Sequence, residues 1–234
     1  MVKELLIFQM GAISDDIIPG TFADMFLRAA DFGRLQPVVI DATSGRLPCP
    51  DTDCAGIIIT GSPAMVTDRE PWSEQSADWL RQAYRRDRKI LGVCYGHQLL
   101  AHALGGTVGY NAAGMELGSH LVTRRINGSK THPLFAGLPE SFHAHMAHSQ
   151  SVLVPPPGAT AMAASEHDPF QMLFFGESCF GLQFHPEFTG QILSAYSDHV
   201  MTQQGDERIR FQQPLEETPH ATRVLQNFLD FCGA

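Results

Sequence analysis

Cys94 stands at the reversal of RKILGVCYGHQLLAHALGG (88–106), where an apolar run meets a stretch with helical spacing. Gly92 and Gly96 flank it at two residues on either side. A sharp strand-to-helix turn holds its central residue in a strained backbone conformation, and flanking glycines remove side chains that would collide. The thiol then sits at a helix N-terminus, whose dipole and free N–H groups favour the thiolate. The same N–H groups, that of Tyr95 first, can receive an oxyanion. The plain alternative is a small buried hydrophobe, which most cysteines are. A base is therefore required.

GLQFHPEF (181–188) offers one. His185 and Glu187 are two residues apart, so on extended backbone both project from the same side, and Pro186 stiffens the link. A carboxylate placed so can orient and charge-stabilise an imidazole that deprotonates a thiol. Alone, His-Pro-Glu would read as a surface turn. A third segment, GIIITGSPAMV (56–66), ends a buried strand at Gly61-Ser62-Pro63. Its backbone N–H groups either complete an oxyanion hole or merely punctuate a turn.

These residues need a scaffold that brings strand ends to one edge. ELLIFQM (4–10), QPVVIDA (36–42), CAGIIITG (54–61) and RKILGVC (88–94) read as buried strands. FADMFLRAADFG (22–33) reads as a helix closing on Gly33, and 73–86 and 95–106 as two more. Strand and helix in alternation predict a parallel sheet covered on both faces, whose ligand edge is the C-terminal end of the strands. The second half offers short strand candidates, GTVGYN, SHLVTRR, HSQSVLV, TAMAAS, FQMLFF and CFGLQF, which suggest an antiparallel extension. THPLFAGLP (131–139) reads as a loop with a helical turn, 190–204 and 221–231 as surface helices, and the polar segment 205–218 as a mobile connection.

The chain of 234 residues suits one domain over 1–234, with no internal repeat. A net charge of −9 argues against nucleic acid as a partner, since phosphates need a basic surface. The basic run RQAYRRDRK (81–89) reads as a solvated helix face. No apolar stretch approaches the roughly 20 residues of a membrane span. LLIF near the N-terminus is cut short by Gln9, and Asp15 and Asp16 follow, so neither a signal peptide nor a membrane association is expected. Five cysteines in no regular framework support neither a zinc site nor a disulfide scaffold, and a reducing, cytoplasmic setting follows. His143, His145 and His148 could bind a metal from a strand, but no cysteine or carboxylate lies among them in sequence. No metal and no cofactor are expected, and no P-loop or dinucleotide fingerprint is present.

Together, GVCYGHQLLAHALGG, GLQFHPEF and the strand ending in TGSP resemble the catalytic segments of class I glutamine amidotransferase domains. The similarity is greatest to the stand-alone, GMP-synthase-like branch that includes γ-glutamyl peptidases. The resemblance implies a three-layer, flavodoxin-like α/β fold with a mostly parallel sheet, helices on both faces and a small antiparallel extension. It implies that Cys94 attacks the side-chain amide of glutamine, or another γ-glutamyl amide, to form a γ-glutamyl thioester. His185 would serve as base and acid, and Glu187 would orient it. The N–H groups of Tyr95 and Gly61 would hold the oxyanion. Gln98 would contact the substrate glutamine, and AHSQSV (147–152) resembles the loop that grips its amino-acid end, which nominates Ser149 and Gln150. Ser62 and Ser149-Gln150 depart from the Gly and Gly-Asp of many members. GMELG (114–118) resembles a segment near the pocket, without a role for Glu116.

The implied substrate is glutamine or a γ-glutamyl compound, and the ammonia released would serve a separate synthetase or acceptor subunit, because the synthetase's Ser-Gly-Gly-Val-Asp-Ser loop is missing from this sequence. A γ-glutamyl peptidase is the alternative. A non-catalytic module on the same fold is disfavoured by the presence of Cys94, His185 and Glu187. Related-fold cysteine peptidases generally place a histidine directly after the nucleophile, where this chain has Tyr95.

Overall fold

The computed structural model describes residues 2–14, 16–125, 132–204, 210–212 and 217–234. The first half runs β1 (Lys3–Gln9), α1 (Phe22–Ala29), β2 (Leu35–Asp41), β3 (Gly56–Ile59), α2 (Pro71–Arg85), β4 (Ile90–Val93) and α3 (Tyr95–Ala103). Then follow β5 (Thr107–Tyr110), β6 (Glu116–Arg124), β7 (Ser141–His148), β8 (Gln150–Val154), β9 (Thr160–Ala164), β10 (Met172–Phe174) and β11 (Cys179–Leu182). The chain closes with α4 (Gly190–Gln204), β12 (Arg210–Gln212) and α5 (Pro219–Gly233).

The main sheet has the order β12-β6-β9-β10-β11-β4-β3-β1-β2, with β7 on the other edge of β6. Its centre, β11-β4-β3-β1-β2, is parallel, and β9, β10 and β7 add antiparallel neighbours. Continuous apolar runs form this centre because both faces are covered. Leu5 and Ile7 of β1, Ile58 of β3 and Leu91 and Val93 of β4 face one core, with Phe26 of α1 and Val224, Leu225 and Phe228 of α5. The alternate residues Leu6, Phe8, Ile57, Ile59 and Ile90 face the other, with Trp79 and Leu80 of α2 and Leu99 and Leu100 of α3. The fold is the mostly parallel α/β architecture that the sequence implied.

Four details correct the expected element bounds. α1 begins with a capping box between Thr21 and Asp24 but ends at Ala29, because Ala30 is already extended. Asp31 then accepts from the Gly33 N–H at 2.8 Å, so Gly33 (φ +54°) belongs to a separate turn. The helix after Cys94 stops at Ala103, short of the glycine pair. The expected strand HSQSVLV is in fact two: His148 ends β7, the chain turns at Ser149, and β8 starts at Gln150. β8 pairs with β5 in a small sheet of its own. Of 205–218, β12 is described and pairs parallel with β6. Residues 205–209 and 213–216 lie outside the described residues.

The basic run proves partly structural. Arg86 pairs with Asp51, and the Lys89 ammonium donates to the Phe231 carbonyl at 2.6 Å while lying 4.4 Å from that ring's centroid. No helix among the described residues is long and apolar enough to cross a membrane.

Candidate functional site

Backbone ladders bring Cys94 and His185 together. β4 and β11 are parallel neighbours in register Val93↔Leu182, and the Cys94 N–H continues the ladder to the Leu182 carbonyl at 2.7 Å. Beyond β11, the Gln183 N–H bonds to the Gln171 carbonyl and the His185 N–H to the His145 carbonyl, each at 2.9 Å. The histidine is thus fixed from both sides.

Cys94 has φ +50° and ψ −103°, a region that residues with side chains rarely adopt. The glycines make this turn possible. A methyl group at Gly92 would collide with the Gly96 carbonyl, and one at Gly96 with the Ile59 carbonyl. β3, β4 and α3 touch backbone to backbone here. Gly61, just past β3, closes the third side: a methyl there would lie 3.1 Å from His185 Cε1 and 3.8 Å from Cys94 Cβ. The three segments singled out in the sequence converge on one point.

His185 donates through Nδ1 to Glu187 Oε1 at 2.8 Å, which leaves Nε2 for the Cys94 thiol, its hydrogen-bond partner. The His185 ring stacks on Phe188 with centroids 4.0 Å apart. Cys94, His185 and Glu187 are 6%, 2% and 2% exposed. Burial works against the Cys94 thiolate, but the charge and hydrogen bond of His185, with His148 adding, hold the thiol below its ordinary value. Burial likewise works against a charged His185, and Glu187 and Cys94 outweigh it and raise the imidazole above its ordinary value. Both shifts act in one direction, favouring a thiolate beside an imidazolium.

A cavity of about 170 Å³ opens in front of the thiol, and Cys94, Ser62, Gln98, Ser149 and Gln150 all line it. The Tyr95 N–H belongs to the first turn of α3, where helical N–H groups have no intrahelical acceptor. The Tyr95 side chain serves packing instead, and its buried hydroxyl meets Ser73 Oγ at 2.6 Å. Gln98 spends both amide hydrogens, on the Gln150 carbonyl at 2.7 Å and Gln183 Oε1 at 3.0 Å, so only its carbonyl oxygen can face a ligand. The Gln150 amide is tied to Thr67 Oγ1 at 2.6 Å, and Ser62 Oγ accepts from the Ala64 N–H at 3.1 Å.

Sequence reasoning missed two contributions. Tyr196 and His199, three apart on α4, complete the cavity wall. Burial and the nearby Cys94 charge push the Tyr196 hydroxyl up to about 12. Glu116 and His148 are both buried, His148 in the cavity wall and Glu116 behind it. Of the histidine triplet, His143 and His145 fall on one face of β7 and His148 on the other. His145 meets Ser119 Oγ at 3.0 Å, and His148 meets Glu116 at 2.8 Å. No sequence pattern joins Glu116 to His148, because only the β6–β7 register pairs them.

The arrangement can deprotonate a thiol, aim it at a carbonyl carbon, and offer N–H donors to the oxygen, which is the geometry of acyl transfer. The sequence profile "Glutamine amidotransferase class-I" matches residues 35–197. A "GMP synthase [glutamine-hydrolyzing]" of Thermomicrobium roseum is 35% identical over 179 residues, covering 76% of this chain and 27% of the relative. "Gamma-glutamyl peptidase 3" of Arabidopsis thaliana is 29% identical over 148 residues, covering 62% of this chain and 59% of the relative. The chain therefore matches about a quarter of that synthase's length and three fifths of the peptidase's. The crystal structure of a glutamine amidotransferase from Thermotoga maritima has a TM-score of 0.75 to this chain, at 20% identity and 100% coverage of both. That of a glutamine amidotransferase from Methylobacillus flagellatus has a TM-score of 0.75 at 23% identity, covering 99% of this chain and 94% of its own. These two likenesses speak for the fold, and the profile match speaks for the family. The chain belongs to the class I glutamine amidotransferases.

Proposed function

We propose that the chain, as one glutaminase domain, hydrolyses the γ-amide of glutamine through a γ-glutamyl thioester on Cys94. The observation that carries this reading is the buried Cys94–His185–Glu187 array, whose Cys94 lines the cavity. The thiolate attacks the amide carbon, and the oxyanion forms against the N–H groups of Tyr95 and Gly61. The C–N bond breaks as His185 gives its proton to the leaving nitrogen, and ammonia departs. A water then passes a proton to His185 and attacks the thioester carbon. The C–S bond breaks, glutamate leaves, and the thiolate–imidazolium pair is restored. The reaction as written consumes only water.

Gln98, Ser62, Ser149 and Gln150 are assigned to the substrate, on their place in the cavity wall. The relatives named as glutamine-hydrolysing GMP synthases support glutamine as substrate and a separate synthetase as the user of the ammonia. The γ-glutamyl peptidases support a second reading, in which the same thioester chemistry acts on γ-glutamyl peptides. Measuring kcat/KM on glutamine and on γ-glutamyl peptides side by side separates the two. Higher values on glutamine are expected, and higher values on the peptides move the assignment to the second reading. Cys94→Ala should lose several orders of magnitude on either substrate while keeping the fold. Wild-type hydrolysis by that variant would overturn both.

A further inference from the structure

The described site uses one histidine–carboxylate pair, and the protein buries a second beside it. His148 and Glu116 are 4% and 1% exposed. The His148 ring is held at both nitrogens: Nδ1 lies 2.9 Å from the Gln150 carbonyl and Nε2 lies 2.8 Å from Glu116 Oε2. A carbonyl only accepts, so Nδ1 carries a hydrogen. The Nε2 contact holds another, because two bare acceptors do not meet at that distance. Its location follows from what else meets Glu116. Gln171 Nε2 donates to Oε2 at 2.7 Å, Ser165 Oγ donates to Oε1 at 2.7 Å, and His120 stands 4.0 Å away. A carboxyl group receiving donors at both oxygens is stabilised as the anion. The proton therefore resides on His148.

The pair is oriented. His148 lines the cavity with Cys94, whereas Glu116 stands behind it, so the cationic end faces the thiol. Ala147, the neighbour of His148, presents its carbonyl 3.9 Å from Cys94 Sγ. We propose that Glu116 is a positioning residue which keeps His148 as a permanent imidazolium, and that this second cation, beside His185, stabilises the Cys94 thiolate. This inference rests on the proposed role of Cys94.

The charged and titratable groups around the two centres come from several elements. Cys94 faces His185 and Glu187 from the segment after β11, His148 from β7, and Tyr196 from α4. His148 faces Glu116 from β6, His97 from α3, and Asp168 and His167 from the loop before β10. His97 is held neutral, since burial and the His148 charge take it down to about 3. Its neutrality leaves His148 and His185 as the two cations beside the thiol. Burial opposes the charge on His148, and the Glu116 hydrogen bond and charge more than reverse it.

Two measurements test the proposal without substrate. In wild-type protein, ring-nitrogen NMR shifts of labelled histidine, assigned with His148→Gln, should show His148 as an imidazolium at pH 7.5. A neutral ring there overturns the proposal. Second, the rate of Cys94 alkylation by iodoacetamide, followed on its own peptide by mass spectrometry, reports the thiolate as a function of pH. Glu116→Gln keeps the shape of the side chain and lets a neutral His148 accept from the new amide. Its alkylation midpoint should rise by about one pH unit, which is about tenfold slower reaction below the midpoint. His148→Gln should do the same. An unchanged midpoint in variants that keep wild-type circular dichroism overturns the proposal, and should they fail to fold, the wild-type NMR result decides. A failure of the Cys94 assignment would instead appear as turnover by Cys94→Ala.

Discussion

At the scale of single residues, opposite shifts at Cys94 and His185 set the pH behaviour of the proposed reaction. Cys94 is lowered, so the thiolate is lost only as pH falls below the ordinary thiol range. His185 is raised, so the proton needed by the leaving nitrogen is lost only as pH rises above the ordinary imidazole range. The kcat/KM profile is expected to hold a plateau between these two limbs, with its acid limb below the ordinary thiol range and its alkaline limb above the ordinary imidazole range. Glu187→Gln removes a charge that raises His185 and should move the alkaline limb to lower pH. Its loss in kcat, roughly 10²-fold, should be smaller than that of Cys94→Ala. An alkaline limb that stays in place would refute the role given to Glu187. The His185–Glu187 contact was legible in the sequence because only Pro186 separates them, although they meet across a turn beyond β11 and not on the extended backbone that was expected. Glu116 and His148 were not, since 32 residues separate them and only strand register brings them face to face.

At the scale of elements, the turn around Cys94 depends on close backbone approach. Gly92→Ala and Gly96→Ala each place a methyl against a carbonyl, which no rotamer change relieves. A loss of about 1–3 kcal/mol or more is expected for each, read as a lower urea midpoint. Fully wild-type midpoints would show that β3, β4 and α3 can separate. The β6–β7 pair carries a different dependence. Glu116 is lowered, so its contribution is present above its ordinary 4.5 and lost as pH falls through the lowered value. His148 is raised, so its contribution is present below its ordinary 6.5 and lost as pH rises through the raised value. The Tm difference between wild type and Glu116→Gln should therefore peak between about pH 4.5 and 6.5 and shrink on either side. The extent of β7 escaped the sequence reading, which set its histidines on a strand only as a metal-binding possibility and let a strand begin at His148. FHAHMAH has no β-branched residue, and the strand owes its place to its pairing with β6 from Glu116 to Thr123.

At the scale of the whole molecule, the sheet is held between two cores, and the C-terminal helix completes one of them. Phe228 of α5 is fully buried in the first core, edge-on to Phe180 of β11. Phe228→Ala should cost about 3–5 kcal/mol by urea unfolding, and a cost below about 1 kcal/mol would mean that α5 is peripheral. The two-faced sheet was legible because its strands are apolar at every position rather than at alternate ones. Strand order across the extension was not. β6 pairs with β7 along one edge and with β12 and then β9 along the other, and hydropathy carries no information on such partners.

The Cys94 N–H bond to the Leu182 carbonyl, an extension of the β4–β11 ladder, has a consequence for inactivation. The amide of the proposed nucleophile is a rung of the central sheet, so it can exchange its hydrogen for deuterium only when that sheet opens. Its protection should match that of the slowest amides in the protein. Thermal inactivation should then follow the same curve as the melting of the sheet, with no earlier phase in which the site loosens while the fold persists.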